Sequence, residues 1–361
     1  AASAGGAAEA APPGSAGGRS GRIGPYVLLQ KVGEGGMGEV YEAEQLTPVR
    51  RRVALKLVRR DLLTDRARLR FDAERQALAL MDHSFIAKIF DGGLTRRGCP
   101  YLVMEFVPGV PITRHCDRFR LGTRERLELF VQVCAGVEHA HQKAIIHRDL
   151  KPSNVLVTSQ DGVAVPKIVD FGLAKTTALP LTDRPAATLV GEILGTPAYM
   201  SPEQAELAPH LVDTRTDVYA LGSLLYEMLT GVPPFDPDRL ARVGFDEVRR
   251  TIREVEPARP STRVSADAES AARTAWNRAT DAPRLVGQLR GDLDWITMKA
   301  LEKDRGRRYG SAAELAADVG RHLRHEPVEA GPPSARYRMA KFVRRHRAAV
   351  VAAAAAFLTL T

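Results

Sequence analysis

Gly33-Glu34-Gly35-Gly36-Met37-Gly38-Glu39-Val40-Tyr41-Glu42-Ala43 is the stretch on which the fold turns. Its first part has the form G-x-G-x-x-G-x-V. Glycines so spaced let backbone N–H groups close over a phosphate with no Cβ in the way. Dinucleotide-binding folds share the spacing, but there the glycines open a helix. Here residues 39–43 continue as a β-rich run and lead to a second, Val53-Ala54-Leu55-Lys56. The glycines therefore join two strands rather than a strand and a helix.

Residues 26–32 form a third run on the N-terminal side, and Gly-rich or Arg-rich turns separate the three, the pattern of an antiparallel meander. Residues 68–81 then carry Leu69, Ala73, Gln76, Ala77 and Leu80 at helical spacing, and two more short strands end at residues 101–106. A small sheet with one helix results. Beyond Pro108 the pattern is helical. Leu127, Phe130, Val131, Cys134 and Val137 mark one buried stripe, and Val218, Leu221, Leu224, Leu225 and Met228 mark another. Between them residues 155–157 and 167–169 read as a hairpin turning at Asp161-Gly162. Residues 263–287, rich in Ala, Arg and Asp, read as a variable surface insertion in the helical part.

A chain of 361 residues with 44% hydrophobic content can bury enough apolar surface to fold without staples. Cys99, Cys116 and Cys134 are odd in number, widely spaced and without a Cys-x-x-Cys pair, which argues against a disulfide framework and a zinc site. Residues 1–20 are almost entirely Ala, Gly, Pro and Ser and read as a disordered tail with no signal peptide. Much of the net charge of +9 gathers at Arg336, Arg338, Lys341, Arg344, Arg345 and Arg347, directly before the charge-free run 348–361. As a helix that run extends about 21 Å against a hydrocarbon core of about 30 Å. With the basic cluster ahead of it, it reads as the truncated start of a transmembrane helix, and the chain as a fragment of a longer protein with its globular part cytoplasmic.

Four blocks, Gly33 to Val40, Val53 to Lys56, His147-Arg148-Asp149-Leu150-Lys151-Pro152-Ser153-Asn154 and Asp170-Phe171-Gly172, stand in the order of the eukaryotic-type (Hanks-type) protein kinase family, and the chain resembles its bacterial serine/threonine members over about residues 24–325. The resemblance implies an α+β, bilobal fold. A small antiparallel sheet with one main helix would fill residues 24–108 and a larger, mostly helical lobe residues 109–325. A tail at 1–23, a basic juxtamembrane segment at 326–347 and the apolar run at 348–361 would flank them.

It also implies ATP, with Mg²⁺ or alternatively Mn²⁺, and protein substrates bearing Ser or Thr. Phosphoryl transfer asks for positioned phosphates, metal to neutralise charge and a group to receive the hydroxyl proton. Lys56, fixed by Glu74, would hold the α- and β-phosphates. Asp149 would orient and deprotonate the substrate hydroxyl, and Asn154 and Asp170 would supply metal oxygens. Lys151, on this resemblance, belongs to the Ser/Thr subclass and contacts the transferred phosphate. Val32, Gly33, Glu34, Gly35, Gly36, Met37 and Gly38 would cover the nucleotide. Adenine would lie between Val40 and Ala54 above and Leu156 below, with backbone groups of Glu105 and Val107 reading its edge after the bulky Met104. Pro111 stands where many kinases place an acidic residue near the ribose.

Alone, Lys56 would read as a solvated strand residue, Glu74 as a helix-surface charge and His147 as a packed core histidine. Joint occurrence reverses the first two, while His147 stays structural in a column with Phe171, Leu78 and Ile89. Residues 173–200 resemble an activation loop, with autophosphorylation expected at Thr188 first and Thr182 second, assisted by self-association. Its end, Ser201-Pro202-Glu203, departs from the family's Ala-Pro-Glu yet leaves Glu203 to pair with Arg308. Asp217 would hold the catalytic-loop backbone. A scaffold pseudokinase is the main alternative and would lack Lys56, Asp149 or Asp170. A small-molecule phosphotransferase would lack the 195–203 platform, and a nucleic-acid binder would rest on net charge alone; no nucleic-acid partner is expected.

Overall fold

A computed structural model describes residues 21–35, 38–58, 76, 78, 80–171, 197–206 and 209–345. The meander expected around the glycines is present. Strands β1 (Arg22–Ile23), β2 (Tyr26–Gly35), β3 (Gly38–Gln45), β4 (Arg51–Val58), β5 (Ile89–Leu94) and β6 (Pro100–Glu105) form one antiparallel sheet in the order β1-β2-β3-β4-β6-β5. Successive side chains of β4 alternate between its faces. Val53 and Leu55 pack with Tyr26, Ala43 and Val103 on one side. Ala54 and Val58 join Leu102 and Met104 on the other, within the main core. Lys56 shares that second face, in register with Val40 on β3 and Leu102 on β6.

A second sheet, β7 (Val110–Pro111), β8 (Val155–Gln160) and β9 (Val163–Ile168), carries the expected hairpin. Its turn sits at Asp161 (φ 51°) and Gly162 (φ 80°), the two left-handed residues that a tight hairpin turn demands. The strands run further than the apolar pattern foretold, because residues 158–160 keep the hydrogen-bond ladder after the buried side chains end. Residues 85–87 tie the sheets together: Ile168 N–H donates to Phe85 O (2.8 Å), and Ala87 N–H donates to Ile168 O (2.9 Å).

Helices α1 (Ile112–Arg118), α2 (Thr123–Gln142), α3 (Pro202–Ala205), α4 (Thr214–Thr230), α5 (Pro237–Arg242), α6 (Phe245–Glu254), α7 (Pro260–Ser265), α8 (Ala268–Trp276), α9 (Ala282–Leu289), α10 (Asp292–Ala300), α11 (Ala312–Leu323) and α12 (Ala335–Arg345) build the larger lobe. α2 buries Leu127, Phe130, Cys134 and Val137. α4 is buried nearly all round, because α2, α7, α10 and α11 surround it. It stops at Gly231, whose left-handed φ of 83° lets its N–H close on Glu227 O.

Residues 263–287 are not a surface insertion. Ala271, Ala275 and Leu285 are buried in the main core, and Arg278 is 2% exposed. Its guanidinium donates to Leu229 O (2.6 Å) and Met228 O (2.9 Å), while Arg126 donates to Met228 O (3.2 Å) and Asn277 O (2.7 Å). The last-turn carbonyls of α4 have no intrahelical partners, and these two arginines supply them. Arginine-rich composition reads as a solvated face, so the sequence concealed this packing.

Of residues 326–347, expected as a basic segment beyond the lobe, the described part folds against it: Tyr337 and Lys341 of α12 meet Asp292 of α10. Among the described residues no helix is long and apolar enough to cross a membrane, and residues 348–361 lie outside them.

Candidate active site

The hairpin brings the two ends of the chemistry together. Asp149 and Asn154 lead into β8, and Asp170 follows β9. Asn154 Nδ2 donates to Asp149 O (2.8 Å) and Asp149 Oδ2 (3.1 Å), and its backbone carbonyl accepts from Val169 N–H (2.9 Å). Lys151 Nζ lies 2.9 Å from Asp149 Oδ2. From the opposite lobe, Lys56 Nζ forms an ion pair with Asp170 Oδ1. One cleft thus holds Lys56, Asp149, Lys151, Asn154 and Asp170. Beside it, Arg148, Asp149, Lys151, Tyr199 and Met200 line a small depression. Glu74, Gly36, Met37, the threonines of 173–196 and Gly172 lie outside the described residues.

The loop backbone is held from beneath by Asp217, on α4 and fully buried. It accepts from His147 N–H (2.7 Å), Arg148 N–H (2.8 Å) and His141 Nε2 (2.8 Å). Burial alone would raise its carboxyl, but His141 and the backbone donors outweigh that and hold it below the usual carboxylate range. Arg148 (φ 63°) and Asp170 (φ 61°) both take the left-handed region, where residues with a Cβ pay a steric cost unless their surroundings fix them. His147 is completely buried, and that burial pushes its imidazole below its ordinary pKa, so it is neutral at pH 7. It donates from Nε2 to Val169 O (3.1 Å) and packs on Phe171, ring centroids 4.6 Å apart, with Leu78 buried in the same core. This is a packing role.

The four-sided apolar slot is lined as its register dictates: Val40 opposes Lys56, Ala54 opposes Met104, and Leu156 opposes Pro111 in the lower sheet. Ala54, Met104 and Val107 are nearly buried. Glu105 N–H is committed to Lys88 O (2.8 Å), and its carboxylate meets Lys167 Nζ (3.1 Å), so its carbonyl is the backbone group left for a ligand edge.

The loop glycines separate into two kinds. At Gly38 (φ 147°) a Cβ would stand 1.9 Å from Leu57 O, so the β3–β4 pairing itself forbids a side chain. At Gly35 a Cβ would meet nothing within 4 Å. Among the described residues no packing requires glycine there, and open space is what a phosphate-covering loop would need.

Sequence reasoning missed His141, Gln204 and Glu227. His141 reaches Asp217 only through the packing of α2 on α4, and no local signal announces it. Tyr199 OH donates to the carboxylate of Glu227, whose burial raises its pKa. Gln204 had a legible signal. Ser201 and Gln204 form a capping box: Ser201 Oγ accepts from Gln204 N–H (3.4 Å), and Gln204 Oε1 accepts from Ser201 N–H (3.1 Å). The serine that departs from Ala-Pro-Glu thereby starts α3, and Gln204 Nε2 donates to Arg148 O (2.8 Å), joining that helix to the loop. Glu203 meets Arg308 as expected, at 2.7 and 2.8 Å, and accepts from Thr216 Oγ1 (2.8 Å).

A family model for the protein kinase domain matches residues 26–315. Over 310 residues the chain is 36% identical to the serine/threonine-protein kinase PknB of Mycobacterium tuberculosis, which takes in 84% of this chain and 44% of that protein. It is 35% identical over 313 residues to the probable serine/threonine-protein kinase SCO3848 of Streptomyces coelicolor, 85% of this chain and 41% of that one. The chain spans less than half the length of these curated relatives. Among solved structures it is similar to the PknI kinase domain of Mycobacterium tuberculosis in a doubly substituted form, with 26% identity and a TM-score of 0.61 over 86% of this chain and 100% of that one. With the curled antiparallel sheet over a helical lobe and the loop-and-hairpin cleft between them, these matches show that the chain belongs to the protein kinase family.

Proposed function

We propose that the chain is a serine/threonine protein kinase acting on protein hydroxyls, with residues 24–108 as its small lobe and 109–325 as its large one. The observation that carries this reading is the meeting of Lys56 with Asp170 across the lobes, beside Asp149 and Asn154 in one cleft. Mg²⁺ and ATP supply the transferable phosphoryl group and neutralise its charge. Lys56 orients the α- and β-phosphates, and Glu74 is the carboxylate that would steady its ammonium. Asn154 and Asp170 offer oxygen ligands to the metal; Mn²⁺ is the alternative ion. Asp149 accepts the substrate hydroxyl proton, and Lys151, 2.9 Å from it, balances the charge that gathers there.

Ala54, Val40 and Leu156 sandwich adenine, with the Glu105 carbonyl and Val107 N–H at its edge. Val32, Gly33, Glu34, Gly35, Gly36, Met37 and Gly38 would cover the phosphates. Arg148, next to Asp149, supports phosphorylation of Thr188 or Thr182 as an ordering step, by one copy on another. The basic residues from Arg336 to Arg347 ahead of the charge-free run 348–361 support a single membrane anchor with the catalytic lobes cytoplasmic.

Radiolabelled transfer from ATP to the chain itself and to a generic protein acceptor tests the activity. Wild type should label both, and Lys56→Met, Asp149→Asn and Asp170→Asn should lose at least about a hundredfold in rate. Equal labelling by Asp149→Asn would refute the assignment.

A further inference from the structure

The peptide plane that carries Asp149 is pinned at both ends. Asp149 N–H donates to His147 Nδ1 (3.3 Å), and the Arg148 carbonyl on the other side of the same plane accepts from Gln204 Nε2 (2.8 Å). The preceding plane is held separately, because Arg148 N–H donates to Asp217 Oδ1 (2.8 Å). With one plane fixed by Asp217 and the next by Gln204, both backbone angles of Arg148 are set. That residue sits at a left-handed φ of 63°, which persists only where the surroundings impose it. Asp217 acts from the helix beneath the loop. Gln204 acts from the other direction, directly after residues 195–203, read above as the platform for a protein substrate.

The other half of the Gln204 carboxamide is engaged as well. Its Oε1 accepts from Ser201 N–H (3.1 Å) inside the capping box that starts α3. One end of the side chain meets an N–H and the other a carbonyl, so the amide has one workable orientation. Glutamate accepts but at neutral pH does not donate, and lysine or arginine donates but does not accept. Glutamate or glutamine serves a capping box equally well, so the cap does not call for a carboxamide here. The Arg148 carbonyl does. The platform is anchored by other means, Glu203 to Arg308 and Thr216 and Tyr199 to Glu227, so its own position does not need this bond. We infer that Gln204 is a positioning residue for Asp149, tying the segment that presents the acceptor hydroxyl to the peptide plane that carries its base. Asp149 takes the acceptor proton on the kinase reading above, and the role of Gln204 rests on that reading.

Steady-state transfer from ATP to a generic protein acceptor, with thermal melts alongside, tests this role. Gln204→Glu keeps the cap acceptor but sets a carboxylate oxygen against the Arg148 carbonyl, while Gln204→Met keeps the length, adds no charge and makes neither bond. Both should lower kcat at least about tenfold with KM for ATP unchanged, because Lys56 and Asp170 lie outside this linkage. Gln204→Glu should melt with wild type, since its capping box is intact. Wild-type kcat in both variants would leave Gln204 a helix cap and overturn the proposal. A loss confined to Gln204→Glu would assign the effect to the added charge beside Asp149 and overturn it too. A lower Tm in Gln204→Glu together with a raised KM for ATP would mean general loosening of the lobe, again against a positioning role. If the kinase reading itself fails, wild type labels no acceptor and the role of Gln204 falls with it; if only the role of Gln204 fails, wild type is active and the variants do not separate kcat from KM.

Discussion

Asp217→Asn should cost both stability and turnover. The carboxylate accepts from three donors at 2.7 to 2.8 Å with no exposure to water. An asparagine offers one oxygen and, in place of the other, an NH₂ aimed at a donor. With its oxygen where Oδ2 stood it keeps His147 N–H and His141 Nε2 and turns its NH₂ on Arg148 N–H, losing that bond; the flipped amide would keep Arg148 N–H alone. A hydrogen bond to a charged acceptor contributes about 1.5–3 kcal/mol, and the buried donor left unsatisfied costs about 1–3 kcal/mol more. The neutral amide is cheaper to bury than a carboxylate, which trims the net loss to about 3 kcal/mol. The released strain adds a functional effect. Arg148 holds a left-handed φ of 63° against its N–H contact with Asp217, and its relaxation shifts the adjacent Asp149. A displacement of about 1 Å at a reacting group lowers kcat about a hundredfold. KM for ATP should hold, because Lys56 and Asp170 do not touch this network. Urea denaturation followed by fluorescence gives the first quantity and steady-state transfer assays the second. The sign with pH is also fixed. The folded carboxyl lies below its usual 3.8, so its contribution is present above that value and disappears as pH falls through the depressed one; wild type and variant should converge in acid. Stability loss under about 1 kcal/mol with unchanged kcat would refute the reasoning.

The two loop glycines should respond oppositely. Gly38→Ala should lower Tm, the collision with Leu57 O and a φ of 147° costing at least about 1–3 kcal/mol, whereas Gly35→Ala should leave Tm unchanged and raise KM for ATP. Glu203→Gln leaves Arg308, whose side chain is completely buried, facing a neutral amide and should destabilise by about 3–5 kcal/mol in denaturant titrations. Arg308 and Thr216 hold the Glu203 carboxyl below its usual 4.5 against the opposing effect of burial, so the wild-type advantage is full above pH 4.5 and fades below it. Asp292→Asn should free α12: a carboxyl lowered from 3.8 to about 2, despite burial that alone would raise it, corresponds to about 2 kcal/mol at neutral pH. Amide exchange at residues 335–345 should then accelerate while the rest of the lobe stays protected; unchanged exchange would show that apolar packing alone holds the helix.

What the sequence disclosed was local. The glycine run, the Asp161-Gly162 turn and the stripes of α2 and α4 each state their geometry within a few residues, and the cleft follows once strand and hairpin are paired. Partners set by tertiary packing left no such trace. Arg126 and Arg278 serve the carbonyls closing α4, yet an arginine in an Ala-rich segment is indistinguishable by composition from one in solvent. His141 and Asp217 meet only because two helices cross. Tyr337 and Lys341 read as part of a basic linker until Asp292 appears beneath them. Ser201 is the exception: with Gln204 it spells a helix start within four residues.

The seam at residues 85–87 has a mechanical consequence. The two sheets are joined covalently by the chain through Phe106 to Gly109 and non-covalently where Phe85 and Ala87 grip Ile168. Two fixed points define an axis. Any rocking of the glycine-bearing sheet over the hairpin must turn about that line, which passes behind the slot and close to the strand end preceding Asp170. The distance from Lys56 to Asp170 then becomes a gauge of the angle, short when the jaws shut and longer as they part, so a spin-label or fluorophore pair straddling those positions would read out the opening of the cleft.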